Sequence, residues 1–362
     1  MITEVKDGKE LNEFVYFVKK LYKNDEIFVN PIFYSLKKEL KNEIFIKKHS
    51  TAILCSRDGK TVGRLLFCID KSKQKGCDIG YFSFFDCIDD AEVAKELFSY
   101  MENALKGKVG CAEGTFSPFD PDTRRGILVR GFDQPHTIFT SYNFPYYGGL
   151  LEKLGYAKAY DTYTIKVDLG EKAYGNLCAL NDRVAETKNV RIDDLDPKHI
   201  DKDIADVEKI FAEATFELNY QEAPSAELIR SAARGMKLFL DPALVKIARE
   251  NGTGRPIGFS LVLKDYNEIF KKTGGKLNPF VLLFDKNNIK GARGTLQYVV
   301  PDYQKTGLIC MIYKATYDSL RARGITYFEG GTIMEDNVGS WKTLVRFGGN
   351  ISKVYRIYNK TI

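Results

Sequence analysis

Thr295-Leu296-Gln297-Tyr298-Val299-Val300-Pro301-Asp302-Tyr303-Gln304-Lys305-Thr306-Gly307-Leu308-Ile309 is the stretch on which the reading of this chain turns. Its first half is apolar and reads as a strand that ends at Pro301, because proline has no N–H to donate to a ladder. A short polar loop follows. Cys310–Arg323 then places Ile312, Ala315, Thr316, Ser319 and Leu320 on the inward and lateral faces of a helix. A strand-loop-helix of this kind leaves the first N–H groups of the helix without intrahelical acceptors, at the positive end of the helix dipole, where a pyrophosphate fits. Gly307 allows close backbone approach, and Lys305 adds a positive charge. The same spacing also describes a plain strand-to-helix connection, and spacing alone does not choose between the two.

Around this landmark the chain has 362 residues, enough for two domains. Its 44% hydrophobic and 28% charged residues let each half bury a core. Fifty-four basic residues against 48 acidic ones give a net charge of +6. Those charges are scattered, with no basic run of five, so no nucleic-acid partner is expected, while an anionic cofactor is compatible. The seven cysteines are odd in number and lack a C-x-x-C pair. Cys55 and Cys68 lie in apolar strand-like runs, as in a reducing compartment. His49, His136 and His199 are far apart, so no metal site is expected. Met1–Asp7 has no apolar signal core, and no stretch reaches the ~18–20 apolar residues of a membrane span. The expectation is a cytoplasmic protein without a membrane partner.

Periodicity predicts helices over 11–22, 33–41, 91–106, 203–217 and 225–236, hairpins over 51–70 and 244–263, and strands over 79–85, 109–116, 158–167, 293–300 and 326–330. Irregular stretches fall at 117–146 and, after a helix-like 266–273, in the rest of 264–292. The halves repeat in order. Val62-Gly63-Arg64-Leu65-Leu66 matches Ile257-Gly258-Phe259-Ser260-Leu261, and Leu154-Gly155-Tyr156 matches Phe347-Gly348-Gly349, with offsets of 195 and 193 residues. The expected division is 1–170, a connection over 171–190, and 191–362.

The quoted segment resembles motif A of the GNAT acyltransferase superfamily, Val-x-Pro-x-x-(Arg/Gln)-x-x-Gly-x-(Gly/Ala). Val299, Pro301, Gln304 and Gly307 match, whereas Ile309 departs from the small residue usual there. Asn337 and Ser340 resemble the Asn-x-x-(Ala/Ser) helix start of motif B. The whole chain is similar to a bacterial family of GNAT-like proteins through Phe82–Asp86, Gly131–Pro135, Tyr142–Tyr147 and Lys353–Tyr358. The resemblance implies an α/β (α+β) fold of two tandem GNAT-like domains, each a mixed, mostly antiparallel twisted sheet flanked by helices. It further implies acetyl-CoA or another acyl-CoA as co-substrate, held by Val299, Val300, Gln304, Lys305, Thr306, Gly307, Leu308 and Ile309, with Asn337 and Ser340 near the pantetheine arm.

The first half has no such loop. Asp86, Asp89 and Asp90 put acidic groups where a pyrophosphate would sit, so this half reads as a degenerate copy. The activity implied for the second half is direct acyl transfer to a small-molecule or amino-acid-like amine. A backbone N–H of Val299 or Val300 would polarise the thioester, and Glu329 or Glu335 would act as base. The tyrosine that many members use as general acid is replaced here by Leu344. Asp133, His136, Tyr142 and Asn143 are the candidate acceptor contacts, on the 131–147 loop. Two alternatives stay open: a non-catalytic binding or scaffold protein on the same fold, and a transferase of long-chain acyl or aminoacyl groups.

Overall fold

Both expected hairpins form in the computed structural model, which describes residues 1–72, 75–120, 123–185, 189–215, 229–230 and 238–362. In the first half, β1 (Ile2–Glu4) is followed by α1 (Lys9–Leu21) and α2 (Phe33–Lys41). Then come β2 (Ser50–Arg57), β3 (Lys60–Lys71), β4 (Asp78–Cys87), α3 (Ala91–Leu105) and β5 (Cys111–Gly114). The half ends with β6 (Ile127–Arg130), α4 (Tyr146–Lys153) and β7 (Ala157–Asp168). The expected connection holds a helix, α5 (Glu171–Ala185).

The second half repeats the plan with β8 (Val190–Asp194), α6 (Ile200–Thr215), β9 (Val245–Glu250) and β10 (Pro256–Lys264). In the 264–292 stretch the expected helix forms as α7 (Asn267–Thr273), and a second short helix, α8 (Pro279–Asp285), adds order in the part that reads as irregular. β11 (Gly291–Val299), α9 (Leu308–Ala322), β12 (Tyr327–Met334), α10 (Val338–Arg346) and β13 (Asn350–Thr361) complete it. The helix expected over 225–236 lies, apart from 229–230, outside the described residues.

The repeat has a packing cause. Gly63 and Gly258 each sit in the third strand of their half. A Cβ on Gly63 would lie 2.9 Å from Leu97 Cδ1 of α3, and one on Gly258 would lie 3.2 Å from Ile312 Cδ1 of α9. Both glycines let the central helix of their half settle onto the sheet. Gly155 and Gly348, with φ of 84° and 92°, end α4 and α10 in the left-handed conformation that glycine adopts without strain.

The described strands form one sheet in the order β1-β2-β3-β4-β5-β13-β7-β12-β11-β10-β9-β8, with β6 beside β13. The last strands are therefore exchanged between halves. β13 pairs with β5 of the first half (Tyr358↔Gly114), and β7 pairs with β12 of the second (Phe328↔Val167). The two exchanged strands run antiparallel along the middle of the sheet. One core packs α3 and α4 on the first half around Phe82, Phe98 and Tyr358. Another packs α5, α9 and α10 around Ile165, Tyr313 and Phe328.

Candidate active site

β11 and β12 are parallel and pair over only four positions, from Gly291↔Tyr327 to Gly294↔Gly330. Beyond them β11 stays with β10 and β12 stays with β7. A V-shaped opening results, with Thr295–Val299 on one arm. Val300 N–H donates to Ile257 O across the β10 edge at 3.0 Å. Successive N–H groups of a strand point to opposite edges, so Val299 N–H faces the opening. Of the two backbone donors expected from sequence, Val300 is already committed.

The loop after β11 is pinned from outside. Asp302 pairs with Arg255 (2.8 Å), Tyr303 Oη donates to Glu250 Oε1 (2.9 Å), Thr306 Oγ1 donates to Tyr303 O (2.8 Å), and Gln304 Nε2 donates to Val299 O (3.1 Å). Lys305 is exposed with φ of 62°, and Gly307 has φ of 88° at the N-cap of α9. No side chain among the described residues caps this helix. Cys310 N–H donates to Gly307 O at 2.8 Å within the first turn, and the N–H groups of Leu308 and Ile309 stand at the positive end of the helix, the kind of place where anions bind. α5 lies antiparallel along α9. Val184 packs over Gly307, where a Cβ would come within 2.5 Å of its Cγ2.

The corresponding place in the first half is closed. Asp90 caps α3, accepting from Glu92 N (2.8 Å) and Val93 N (3.4 Å), and so puts a carboxylate where a phosphate would bind. Two tyrosines of α4 cover the end of β4: Tyr147 Oη accepts Cys87 N–H, and Tyr146 Oη donates to Cys87 O. Beneath them Arg64 and Asp86 form a buried pair at 2.6 Å, with Tyr22 Oη donating to Asp86.

Glu329 stands one residue before the strands part. It faces away from α9, because its neighbour Phe328 packs against Tyr313. Glu329 is 1% exposed and accepts from Thr137 Oγ1 (2.7 Å), Ser352 Oγ (3.1 Å) and Lys353 Nζ (3.1 Å), with Arg293 Nη1 at 3.6 Å. Burial alone would raise its carboxyl; Lys353 and Arg293 outweigh that and hold it below the usual range. Next to this cluster, burial pushes Asp265 up to about 7. Asp265 accepts from Ile138 N (2.9 Å) and from Tyr327 Oη (3.2 Å).

Glu335 is half-exposed at the end of β12, paired with Lys158 at 2.7 Å and accepting Asp161 N–H. Asn337 caps α10 by accepting Ser340 N–H (3.3 Å), and both residues are exposed. Leu344 is buried against Gly330. Of the four candidate acceptor contacts, His136 and Tyr142 have ring centroids 5.9 Å apart, while each polar side chain is held by its own partners or faces solvent. His136 accepts Val29 N–H on Nε2 and bonds Thr140 O through Nδ1, and burial lowers it to about 4, so it is neutral. Asn143 spends its amide on Leu128 N, Leu128 O and Phe144 O. Tyr142 donates to Asp25, and Asp133 is exposed. Of the loop aromatics, Phe144 stacks on Tyr22, and Tyr142 meets Tyr22 edge-on and Phe28 at a tilt, as core packing.

Sequence reasoning passed over Arg293, Lys353, Ser352 and Thr137. The available signal was a charged residue inside an otherwise buried strand, such as Lys353 in β13.

No protein-family model matches the chain. It is 26% identical to a protein named bacterial ceramide synthase from Caulobacter vibrioides (strain NA1000 / CB15N), covering 100% of this chain and 97% of that one. It is also 26% identical to protein YghO of Escherichia coli (strain K12), covering 98% and 93%. Among solved structures, a tandem GNAT protein from the clavulanic acid biosynthesis pathway superposes with a TM-score of 0.58 at 12% identity, covering 100% of this chain and 98% of that one. The GCN5-related glucosamine N-acetyltransferase region of a fungal multi-domain GH3 β-N-acetylglucosaminidase superposes with a TM-score of 0.57 at 12% identity. That match covers 99% of this chain, which spans 38% of the longer protein. The chain has the fold of a tandem GNAT protein.

Proposed function

We propose that the second half binds an acyl-coenzyme A along Val299–Ile309 and that the chain passes the acyl group directly to an amine. The observation that carries this reading is the pairing of the β11/β12 opening with an uncapped helix start, in the half whose twin has both features blocked. The residues fit the group. The N–H groups of Gly307, Leu308 and Ile309 meet the pyrophosphate, with Lys305 beside them. Asn337 and Ser340 at the start of α10 flank the pantetheine arm. The thioester supplies the activated carbonyl.

Val299 N–H, aimed into the opening, is the donor for the oxygen that gains negative charge as the amine attacks. The attacking nitrogen loses a proton and the coenzyme thiolate leaves. Of the two candidate bases, Glu335 is the one water reaches. Glu329, enclosed and ionised, holds Lys353 and Arg293 at the apex of the opening. Leu344 lies in the core, so no tyrosine at that position protonates the leaving thiol.

The long-chain form of this reading is favoured by the relative named ceramide synthase, which matches along its whole length. Thermal shift with acetyl-CoA, palmitoyl-CoA and free coenzyme A tests the proposal. A ligand at about 100 times its Kd should stabilise the protein by about 2.7 kcal/mol. Thr306→Glu should lose that shift while keeping the unliganded melting temperature within a few degrees; Gly307→Glu should lose it too, with a lower unliganded melting temperature, because a Cβ there meets Val184 at φ of 88°. Absence of a shift with all three ligands overturns the proposal.

A further inference from the structure

We infer that α8 is a membrane-surface anchor that seats the chain on an anionic bilayer. The helix is short and firmly built. Pro279 occupies its first turn, and Asn278 caps it by accepting from Phe280 N (3.0 Å) and Val281 N (3.4 Å). Leu282 is buried and Val281 packs on the core beside it. The opposite face carries Phe280, Leu283 and Phe284 at 73%, 60% and 72% exposure, with Leu277 one turn earlier at 41%. Spacing of i, i+3 and i+4 gathers them into one stripe pointing into solvent. Apolar side chains scattered singly on a surface are ordinary, whereas three large ones on one helical stripe, with Leu277 exposed just before the helix, mark a contact surface.

The rim identifies the partner. Residues 271–290 hold five lysines against a single acidic residue, Asp285. Lys272 pairs with Asp285 at 3.7 Å, Lys271 and Lys290 keep their charge while donating to the carbonyls of Glu26 and Gly324, Lys276 is exposed and Lys286 is half-buried. A basic border around a Phe- and Leu-rich face is the composition of a helix lying in the headgroup region of anionic lipid. A protein partner with an apolar groove would need no such one-sided charge. No described helix is long and apolar enough to cross a membrane, and this mode of attachment requires none. The expectation of no membrane partner rested on the lack of a spanning segment, which does not bear on a surface helix.

The full chain, without acyl-CoA, is mixed with vesicles of phosphatidylcholine alone and of phosphatidylcholine with phosphatidylglycerol in about a 3:1 ratio, then floated on a density gradient. The account predicts recovery with the anionic vesicles, falling as salt rises from about 0.1 M to about 0.5 M. Phe280→Ser/Leu283→Ser/Phe284→Ser should lower the partition coefficient about tenfold or more. Lys272→Glu/Lys276→Glu should weaken binding to anionic vesicles alone. These side chains face solvent, so melting temperatures should be unchanged. Equal flotation of wild type and the triple serine variant, or no flotation of the wild type, overturns the inference. It is equally overturned if the serine variant only converts a dimer to a monomer, since the stripe would then join two copies of the chain. Because acyl-CoA is left out, failure here leaves the acyl-transfer proposal standing.

Discussion

Glu329, Lys353 and Arg293 form a buried group in which one carboxylate faces two cations. Removing the carboxylate leaves both positive charges without their counter-charge. Glu329→Gln should therefore destabilise the protein by about 3–5 kcal/mol in urea unfolding, and Glu329→Gln/Lys353→Met should recover part of the loss. Asp265 gives a pH signature. Its folded pKa of about 7 lies above the ordinary carboxyl value, so the folded state holds a proton that the unfolded state releases. Stability then falls as pH rises from about 4 to about 7. His136, lowered to about 4, acts the other way and costs stability as pH falls below about 6.5. Asp265→Asn should flatten the fall in melting temperature between about pH 4 and about pH 7, leaving the acid-side loss from His136 in place. The strand, turn and helix around Gln304 and Gly307 were legible because local spacing defines them, as the structure's β11, loop and α9 bear out. The Glu329 cluster was only half legible: Glu329 was a candidate base, but its partners come from β11, β13 and the loop at Thr137, which only the folded sheet and the loop packed on it bring together.

Two helix starts distinguish the halves. Asp90 and Asn337 each satisfy orphan N–H groups, so Asp90→Ala and Asn337→Ala should each cost about 0.5–2 kcal/mol. Their consequences for ligand should differ. Asn337→Ala should also reduce the acyl-CoA thermal shift, whereas Asp90→Ala should leave it unchanged and create no second site, because Tyr146 and Tyr147 still close the end of β4. The acidic run Asp86–Asp90 made the first half's loss of the loop readable from sequence. The plug of α4 tyrosines was not readable, since it joins residues about sixty positions apart. The expected connection over 171–190 contains α5, whose place is set by packing on α9 through Tyr174, Leu177 and Val184.

Strand exchange governs the molecule as a whole. β7 has both of its neighbours, β12 and β13, in the other half. β13 in turn fills the place beside β5 and β6. Residues 1–170 expressed alone should fail to give a soluble folded product, and co-expression with 171–362 should restore it. Urea unfolding followed by far-UV circular dichroism and by the fluorescence of Trp341, the single tryptophan, should give coincident transitions. The repeat was visible in the sequence because equivalent glycines meet equivalent helices. The exchange was not visible, because both ways of closing the sheet bury the same alternating strands.

The two halves share a fold, and the proposed function puts the acyl donor in one of them. Native mass spectrometry of the full chain with a non-hydrolysable acyl-coenzyme A analogue tests it most directly. The account predicts one ligand per chain, lost in Gly307→Glu and in Thr306→Glu and kept in Asp90→Ala. Two ligands per chain, none, or one that survives both loop substitutions would contradict it.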